Sequence, residues 1–185
     1  TDHPEKYRLQ ILYTQIDRDA NNKPSLTTYS YRADTNEYFY PASTVKLAAS
    51  VLALEKLNTL KIKKETTFQT FKNRPSQLEI KTDSTAASGL PSIAHYIKKI
   101  LLTSDNDAFN RLFEFIGRAE INAKLKKYGM ENSRILNRLA IGDAGEAAKN
   151  TNPIDFYDGE KLIYHQDAQY DPNDYPNKSW IRHIF

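Results

Sequence analysis

The stretch from Ser43 to Leu54 constrains the fold more than any other, because it is small or apolar throughout and carries a single charge, Lys46. Its apolar residues fall on every face of a helix, so we expect a helix from about Ser43 to Asn58 that is buried nearly all round. An ammonium group inside such a helix costs several kcal/mol unless it is paired or neutral, and burial lowers its pKa. A Lys46 that is neutral near pH 7 is a candidate general base.

A helix that is buried on all sides needs helical neighbours. Apolar residues at helical spacing predict a second helix around 93–101 and a third around 109–116, and Gly117 and Gly129 are expected to end the third helix and the helix after it. We therefore expect the first and third helices to share a core that contains Val45, Leu47, Leu52, Leu54, Phe109, Leu112 and Phe113.

Ser43 lies three residues before Lys46, a spacing at which helical side chains stand side by side with Cβ atoms roughly 5–6 Å apart. A hydroxyl beside an amine is the arrangement that an activated serine nucleophile needs. The spacing alone is weak evidence, because 11 serines and 17 lysines in this chain give about one Ser-x-x-Lys by chance. The alternative is that Ser43 or Thr44 caps the helix while Lys46 extends along its surface.

A second motif, Ser104-Asp105-Asn106, lies 61 residues after Ser43, between the second and third predicted helices. Asp or Asn at this place is also a common helix cap, so a purely structural role is the alternative here too. Composition predicts this tripeptide in only about one of twenty such chains. Its combination with the first motif is therefore more informative than either motif alone.

The segment from Tyr40 to Lys46 resembles the nucleophile segment of class A β-lactamases and penicillin-binding proteins, and Ser104-Asp105-Asn106 resembles their second motif. The resemblance runs from about Arg8 to Asn110 and more loosely to Phe156. It implies an α+β fold of the three-layer αβα, β-lactamase-like type, with an N-terminal antiparallel hairpin and a mainly helical subdomain.

We expect residues 1–185 to form a single, incomplete domain of this type. The strand hairpin would occupy 1–42, with strands at 8–17 and 26–32, the helical subdomain with both motifs 43–150, and a loop-rich tail 151–185. The family's third motif, Lys-[Ser/Thr]-Gly, does not occur in these residues, and we interpret Lys178-Ser179-Trp180 as accidental. The C-terminal strands are therefore expected to be missing, apart from one strand that could begin at Ile181–Phe185. The chain would be a fragment or a degenerate relative.

The resemblance also implies roles. Ser43 would attack the carbonyl of a β-lactam or an acyl-D-amino-acid amide, and Lys46 would take its proton. Ser104 would relay that proton to the leaving nitrogen, and Asn106 would bind the side-chain amide of the substrate. The backbone N–H of Ser43 would supply half of the oxyanion hole. No metal or organic cofactor is implied.

Glu146 is the candidate for the base that hydrolyses the acyl-enzyme. Glu146 and Asn150 have the Glu-x-x-x-Asn spacing of fast β-lactamases, and Arg134 and Arg138 lie upstream, where the family has arginine. The distance of 42 residues from Ser104 is longer than expected. The alternative is that Glu146 and Asn150 are merely neighbours on an exposed helical turn.

The composition of the chain narrows the classes of function that remain. Twenty-six basic and 23 acidic residues are interleaved, with a net charge of +3, which gives no basic stripe for nucleic acid. There is no cysteine, and no apolar run approaches the roughly 18 residues of a membrane span. The chain begins at Thr1, consistent with a trimmed export signal, and the resemblance implies a periplasmic or extracellular location. The expected partner is a small-molecule substrate; the oligomeric state is open.

Two other readings of the whole chain remain. A non-catalytic relative would keep the scaffold as a binding module for a ligand or partner without efficient hydrolysis. A plain helical domain would carry the two motifs by accident.

Overall fold

The structure is a computed structural model that describes residues 2–34, 37–75, 77–141 and 145–175. Contacts divide these residues into two units, one ending at Tyr40 and the other beginning at Pro41. Within the described residues, no helix has the length and apolar character that crossing a membrane requires.

The first unit is an antiparallel hairpin of β1 (Ile11–Arg18) and β2 (Pro24–Tyr31). The two predicted strands are confirmed, although both bounds of each are shifted by one to three residues. Asp19 organises the turn, because its Oδ1 accepts hydrogen bonds from the backbone N–H groups of Asn21 and Lys23, each at 2.9 Å. Such a side-chain-to-backbone turn is what aspartate favours between strands.

The described residues of the second unit form four α-helices: α1 (Val45–Leu60), α2 (Ile93–Thr103), α3 (Asn106–Ile116) and α4 (Arg118–Lys127). Short 3-10 helices lie at Ala42–Thr44 and Ala147–Lys149. Gly117 joins α3 to α4 with a φ of 92°, and a side chain at this position would run into Gln169. A glycine is required there, as the sequence predicted for the end of a helix.

The core lies where α1, α2, α3 and α4 meet the sheet described below. Leu52, Phe109, Leu112 and Phe113 are buried as predicted, and Val45 and Leu54 are half-buried. The prediction for Leu47 is wrong, since 61% of it is exposed, and Val51 one turn later is 54% exposed. The helices α2, α3 and α4 all contact α1, but they leave this face uncovered, so α1 is not buried all round.

The second unit also contains a three-stranded antiparallel sheet in the order β3-β4-β5: β3 (Thr67–Thr70), β4 (Ile154–Asp158) and β5 (Lys161–Gln166). The prediction of a loop-rich tail after Asn150 is therefore wrong for β4 and β5. Their signal was the alternation of buried Ile154 and Phe156 with polar neighbours, followed by a turn at Gly159 with a φ of 61°. Phe156 stacks on Phe68 of β3, with ring centroids 5.2 Å apart.

These helices and antiparallel sheets confirm the α+β class. The strand predicted at Ile181–Phe185 and the string Lys178-Ser179-Trp180 lie outside the described residues.

Candidate active site

Ser43 and Lys46 lie at the start of α1, as predicted. Ser43 belongs to the 3-10 turn that precedes the helix and is exposed, whereas Lys46 occupies the first turn of α1 and only 2% of it is exposed. Lys46 Nζ is 3.1 Å from Ser43 Oγ. Neither Ser43 nor Thr44 caps α1 through its side chain. Both parts of the structural alternative are therefore wrong for this motif: the hydroxyls do not cap the helix, and the lysine does not extend along the surface.

The second motif approaches the same lysine from the turn between α2 and α3. Lys46 Nζ lies 2.9 Å from Ser104 Oγ and 2.7 Å from Asn106 Oδ1, and it also donates to the backbone carbonyl of Ser104. Ser104 ends α2 in the left-handed conformation, with a φ of 55°. This backbone geometry turns both its carbonyl and its hydroxyl toward Lys46. The predicted contact between Ser43 and Lys46 and the predicted approach of Ser104 from a turn between two helices are confirmed, and Asn106 joins the same cluster.

Asp105, between these two residues, has the structural role that the alternative proposed. Its Oδ1 accepts a hydrogen bond of 2.8 Å from the backbone N–H of Ala108 and so caps α3. An N-cap aspartate satisfies one of the N–H groups that a helix leaves without a partner. The tripeptide thus caps a helix with its middle residue and contacts Lys46 with the outer two.

The oxygens around Lys46 suit an amine that can lose its proton. The carbonyl of Ser104 and the Oδ1 of Asn106 can only accept hydrogen bonds, and they match the two N–H groups of a neutral amine. The hydroxyls of Ser43 and Ser104 can donate as well as accept, so either can offer its hydrogen to the remaining lone pair. The arrangement therefore accommodates a neutral Lys46 beside an unionised Ser43.

The electrostatic environment of Lys46 also favours loss of its proton. Burial lowers the pKa of Lys46 below its ordinary value, and the Asp105 carboxylate partly opposes this shift. No carboxylate in the described part of the chain forms an ion pair with Lys46. A buried amine without a carboxylate in contact is more readily deprotonated than a surface lysine.

Glu146 contacts residues outside this cluster. Its carboxylate forms an ion pair with Lys149 at 2.8 Å and accepts a 3.2 Å hydrogen bond from the Tyr170 hydroxyl, and its side chain is 73% exposed. The hydrogen bond from Lys149 lowers the pKa of Glu146. Over the described ranges, no hydrogen bond or ion pair joins it to Ser43 or Lys46. The structure thus brings four of the five predicted residues together and leaves Glu146 with other partners.

Asn150 and Arg138 have structural partners instead. The Asn150 side chain donates a 2.8 Å hydrogen bond to the backbone carbonyl of Glu146. Arg138 is buried, forms an ion pair with the fully buried Glu114, and donates to the backbone carbonyl of Asn150 at 2.5 Å. These contacts fasten Arg138, and through it the backbone of Asn150, to α3.

Asn110 was missed by the sequence reasoning. Its amide clamps the backbone of Leu139: Nδ2 donates to the carbonyl at 3.0 Å, and Oδ1 accepts from the N–H at 2.7 Å. Asn106, Asn110 and Glu114 recur every four residues, so they form one polar stripe along α3. The recurrence of polar residues at this spacing along the predicted helix was the available signal. Among the described residues, no group of three His, Asp or Glu side chains is placed to hold a metal ion.

Comparison with known proteins agrees with these motifs. A model of the beta-lactamase enzyme family matches residues 8–174. None of the curated proteins compared matches the chain. Among solved structures, a beta lactamase from Burkholderia vietnamiensis is similar, with 19% sequence identity and a TM-score of 0.46; the match covers 82% of this chain and 55% of that one. The chain thus spans little more than half the length of that structure. Because the family model covers most of its residues, the chain belongs to the beta-lactamase enzyme family.

Proposed function

We propose that this chain is a serine hydrolase of the penicillin-recognising type, acylated on Ser43 by a β-lactam or an acyl-D-amino-acid amide. One observation carries the proposal: the buried Lys46 amine lies within hydrogen-bond distance of the exposed Ser43 hydroxyl and of the Ser104 hydroxyl at once. A nucleophile activated by an adjacent base is the requirement for covalent catalysis by serine.

The acylation step follows from these contacts. Neutral Lys46 takes the proton from Ser43 Oγ as this oxygen bonds to the carbonyl carbon of the substrate. The tetrahedral intermediate then collapses, and the bond between the carbonyl carbon and the amide nitrogen breaks. Ser104 gives its hydroxyl proton to the leaving nitrogen and receives one from the Lys46 ammonium. The product is an ester on Ser43, and Lys46 is neutral again.

Two further groups bind the substrate in this proposal. Asn106 uses its Oδ1 to accept from Lys46, so its Nδ2 is the group that donates to the side-chain amide of the substrate. The backbone N–H of Ser43 stands at the N-terminal end of α1, where the helix dipole favours negative charge, and it supplies one donor to the oxyanion. Substrates of this chemistry occur in the bacterial cell wall, so we place the reaction in the periplasm or outside the cell.

Slow hydrolysis of the ester is part of the proposal. Water attacks an ester on Ser43 quickly only if a base activates it, and the Glu146 carboxylate is engaged by Lys149 and Tyr170. This favours a long-lived acyl-enzyme, closer to a penicillin-binding protein than to a fast β-lactamase. The non-catalytic binding module is the alternative that the following experiment excludes or supports.

The test is incubation of the full-length protein with a fluorescent penicillin, with the adduct located by peptide mass spectrometry. The adduct is expected on Ser43 and absent in Ser43→Ala. Thr44→Ala, which removes the neighbouring exposed hydroxyl, is the matched control and should label normally. Labelling that survives in Ser43→Ala, or a wild-type protein that does not label, would contradict the proposal.

The lifetime of the adduct tests the second part. After removal of free penicillin, the label should persist, and Glu146→Gln should release it at the wild-type rate, as should the exposed control Glu131→Gln. Rapid turnover that is lost specifically in Glu146→Gln would instead identify Glu146 as the deacylating base.

A further inference from the structure

A group of charged side chains lies behind the turn that carries the second motif. Lys99, one turn before the end of α2, has its Nζ 3.5 Å from Asp105 Oδ2 and 3.3 Å from Asp83 Oδ2. Asp83 belongs to the loop between β3 and α2, and 9% of its side chain is exposed. Lys99 thus bridges the middle residue of the motif to a separate loop.

The far end of this bridge is itself fixed. Asp83 Oδ1 accepts hydrogen bonds from the backbone N–H of Thr85 at 2.9 Å and from its hydroxyl at 2.5 Å. His95 Nε2 lies 3.4 Å from Asp83 Oδ2 and 2.9 Å from the Thr85 hydroxyl. A carboxylate held by several partners is a firm anchor for a lysine.

The near end connects directly to the candidate active site. Asp105 uses one oxygen to cap α3 and the other to face Lys99, so both of its oxygens are engaged. Ser104 and Asn106, its immediate neighbours, both contact Lys46. Ser104 also holds a left-handed backbone conformation that residues other than glycine seldom adopt, and such a conformation persists only where the surroundings impose it.

We propose that Lys99 is a positioning residue for the second motif: by tying Asp105 to Asp83 it fixes the turn from which Ser104 and Asn106 reach Lys46. This inference rests on the proposed function for its effect on acylation. Lys99 does not touch the substrate, and it acts through Asp105.

The bridge has an electrostatic consequence for Lys46. The charged group that acts on Lys46 from the adjoining turn is the Asp105 carboxylate, which favours the ammonium form. The Lys99 ammonium faces the same carboxylate, together with Asp83, and packs over the Tyr96 ring at 5.8 Å. We therefore expect that removing the positive charge of Lys99 leaves the Asp105 carboxylate unopposed on this side and raises the pKa of Lys46.

The experiment compares Lys99→Met with Lys99→Arg and with Lys98→Met, which removes the exposed neighbouring lysine. Lys99→Met should slow acylation of Ser43 at saturating penicillin by roughly 10- to 100-fold, the cost of a misplaced catalytic group. The penicillin concentration for half-maximal rate should change much less. The pH midpoint of acylation should move upward. Lys99→Arg, which keeps the charge, should restore most of the rate, and Lys98→Met should behave as wild type.

Two measurements are independent of acylation. NMR titration of Lys46 should give a higher pKa in Lys99→Met than in wild type, and the backbone N–H of Ala108 should exchange with solvent at least about tenfold faster, as expected for local opening. If Lys99→Met does not fold, Asp83→Asn tests the other end of the bridge with the same readouts.

The two proposals fail differently. If wild type does not label at Ser43, the proposed function fails, while titration and exchange still judge the role of Lys99. If wild type labels, and Lys99→Met has wild-type acylation, Lys46 titration and Ala108 exchange, the positioning role is wrong. A variant that loses only thermal stability would also contradict it.

Discussion

The two ends of α1 each bury a lysine, and the comparison shows what burial alone does not decide. Burial lowers the pKa of both Lys46 and Lys56. Lys56 Nζ donates to the backbone carbonyls of Phe115 at 2.6 Å and Ile116 at 3.2 Å, and it lies 3.5 Å from the Glu120 carboxylate. These carbonyls end α3, where the helix dipole favours a cation. Lys56 is therefore a cap for the C-terminal end of α3.

Lys46 has a different set of neighbours. Two of its acceptors are hydroxyls, Ser43 and Ser104, which can also donate, and Ser43 is open to solvent. The Asp105 carboxylate, which favours the ammonium form of Lys46, is occupied by the cap of α3 and by Lys99. A buried lysine becomes a candidate base when its partners can return a proton and no carboxylate contacts it. How deeply a lysine is buried is a weaker criterion for identifying it as a base.

The largest expected effect is on the rate of acylation, which substitution of Lys46 should lower far more than substitution of Lys56. Lys46→Ala should slow acylation of Ser43 by roughly 10²- to 10⁴-fold, because a general base is lost. Lys56→Met should change the same rate by less than about threefold, since distant sites act independently. Stopped-flow or gel-based labelling with a fluorescent penicillin measures both. If Lys56→Met lost as much acylation as Lys46→Ala, the distinction between Lys46 as a base and Lys56 as a helix cap would be wrong.

An intermediate effect concerns the helix that connects them. Leu52 is buried, whereas Leu47 on the same helix is 61% exposed. Leu52→Ala should lower the free energy of unfolding by about 2–5 kcal/mol through lost burial and a cavity. Leu47→Ala, the matched control, should change it by less than about 0.5 kcal/mol, as exposed sites do. Urea denaturation followed by circular dichroism gives both values, and similar losses would show that α1 is covered on the Leu47 face.

The smallest effect is the dependence of stability on alkaline pH. The pKa of Lys56 is lower in the folded than in the unfolded chain, so between its folded value and about 10.5 the unfolded chain binds more protons. Stability therefore rises with pH across this window, and Lys56→Met should flatten that rise. The same variant should lose about 1–3 kcal/mol at neutral pH, because two α3 carbonyls lose their donor. Lys46→Met should lose less, since water reaches the exposed Ser43 and Ser104. Urea denaturation midpoints measured between pH 7 and 10 test whether Lys56→Met loses more stability than Lys46→Met and whether it flattens the rise with pH.

The local parts of the site were predictable from sequence, because they depend on spacing along one helix or one turn. Ser43 and Lys46 are three residues apart, and Ser104 and Asn106 flank a helix cap, so their directions follow from the backbone. The exposure of Leu47 was not predictable, because it depends on which side of α1 the other helices cover. The ion pair of Glu114 with Arg138 and the cap by Lys56 join residues far apart in sequence, and periodicity says nothing about such pairs.

The strands β4 and β5 were missed for another reason. The sequence near these strands resembles a loop, because it contains Asn152, Pro153 and several aspartates. In addition, β5 is largely exposed, and its sequence lacks a clear apolar face. Pairing with β3 overrides this weak local preference, because Phe156 packs against Phe68 and Phe115. The prediction used composition where the alternation within β4 was the better guide.

The polar stripe on α3 connects the candidate active site with residues that follow α4 in the chain. Asn106 contacts Lys46, and Asn110 and Glu114 on the same face hold Leu139, Arg138 and the backbone of Asn152. Releasing Arg138 and Asn152 would leave the Glu114 carboxylate buried without its partners, and removing one partner of a buried ion pair costs several kcal/mol. We therefore expect Leu139 and Asn152 to stay docked on α3 until α3 itself opens.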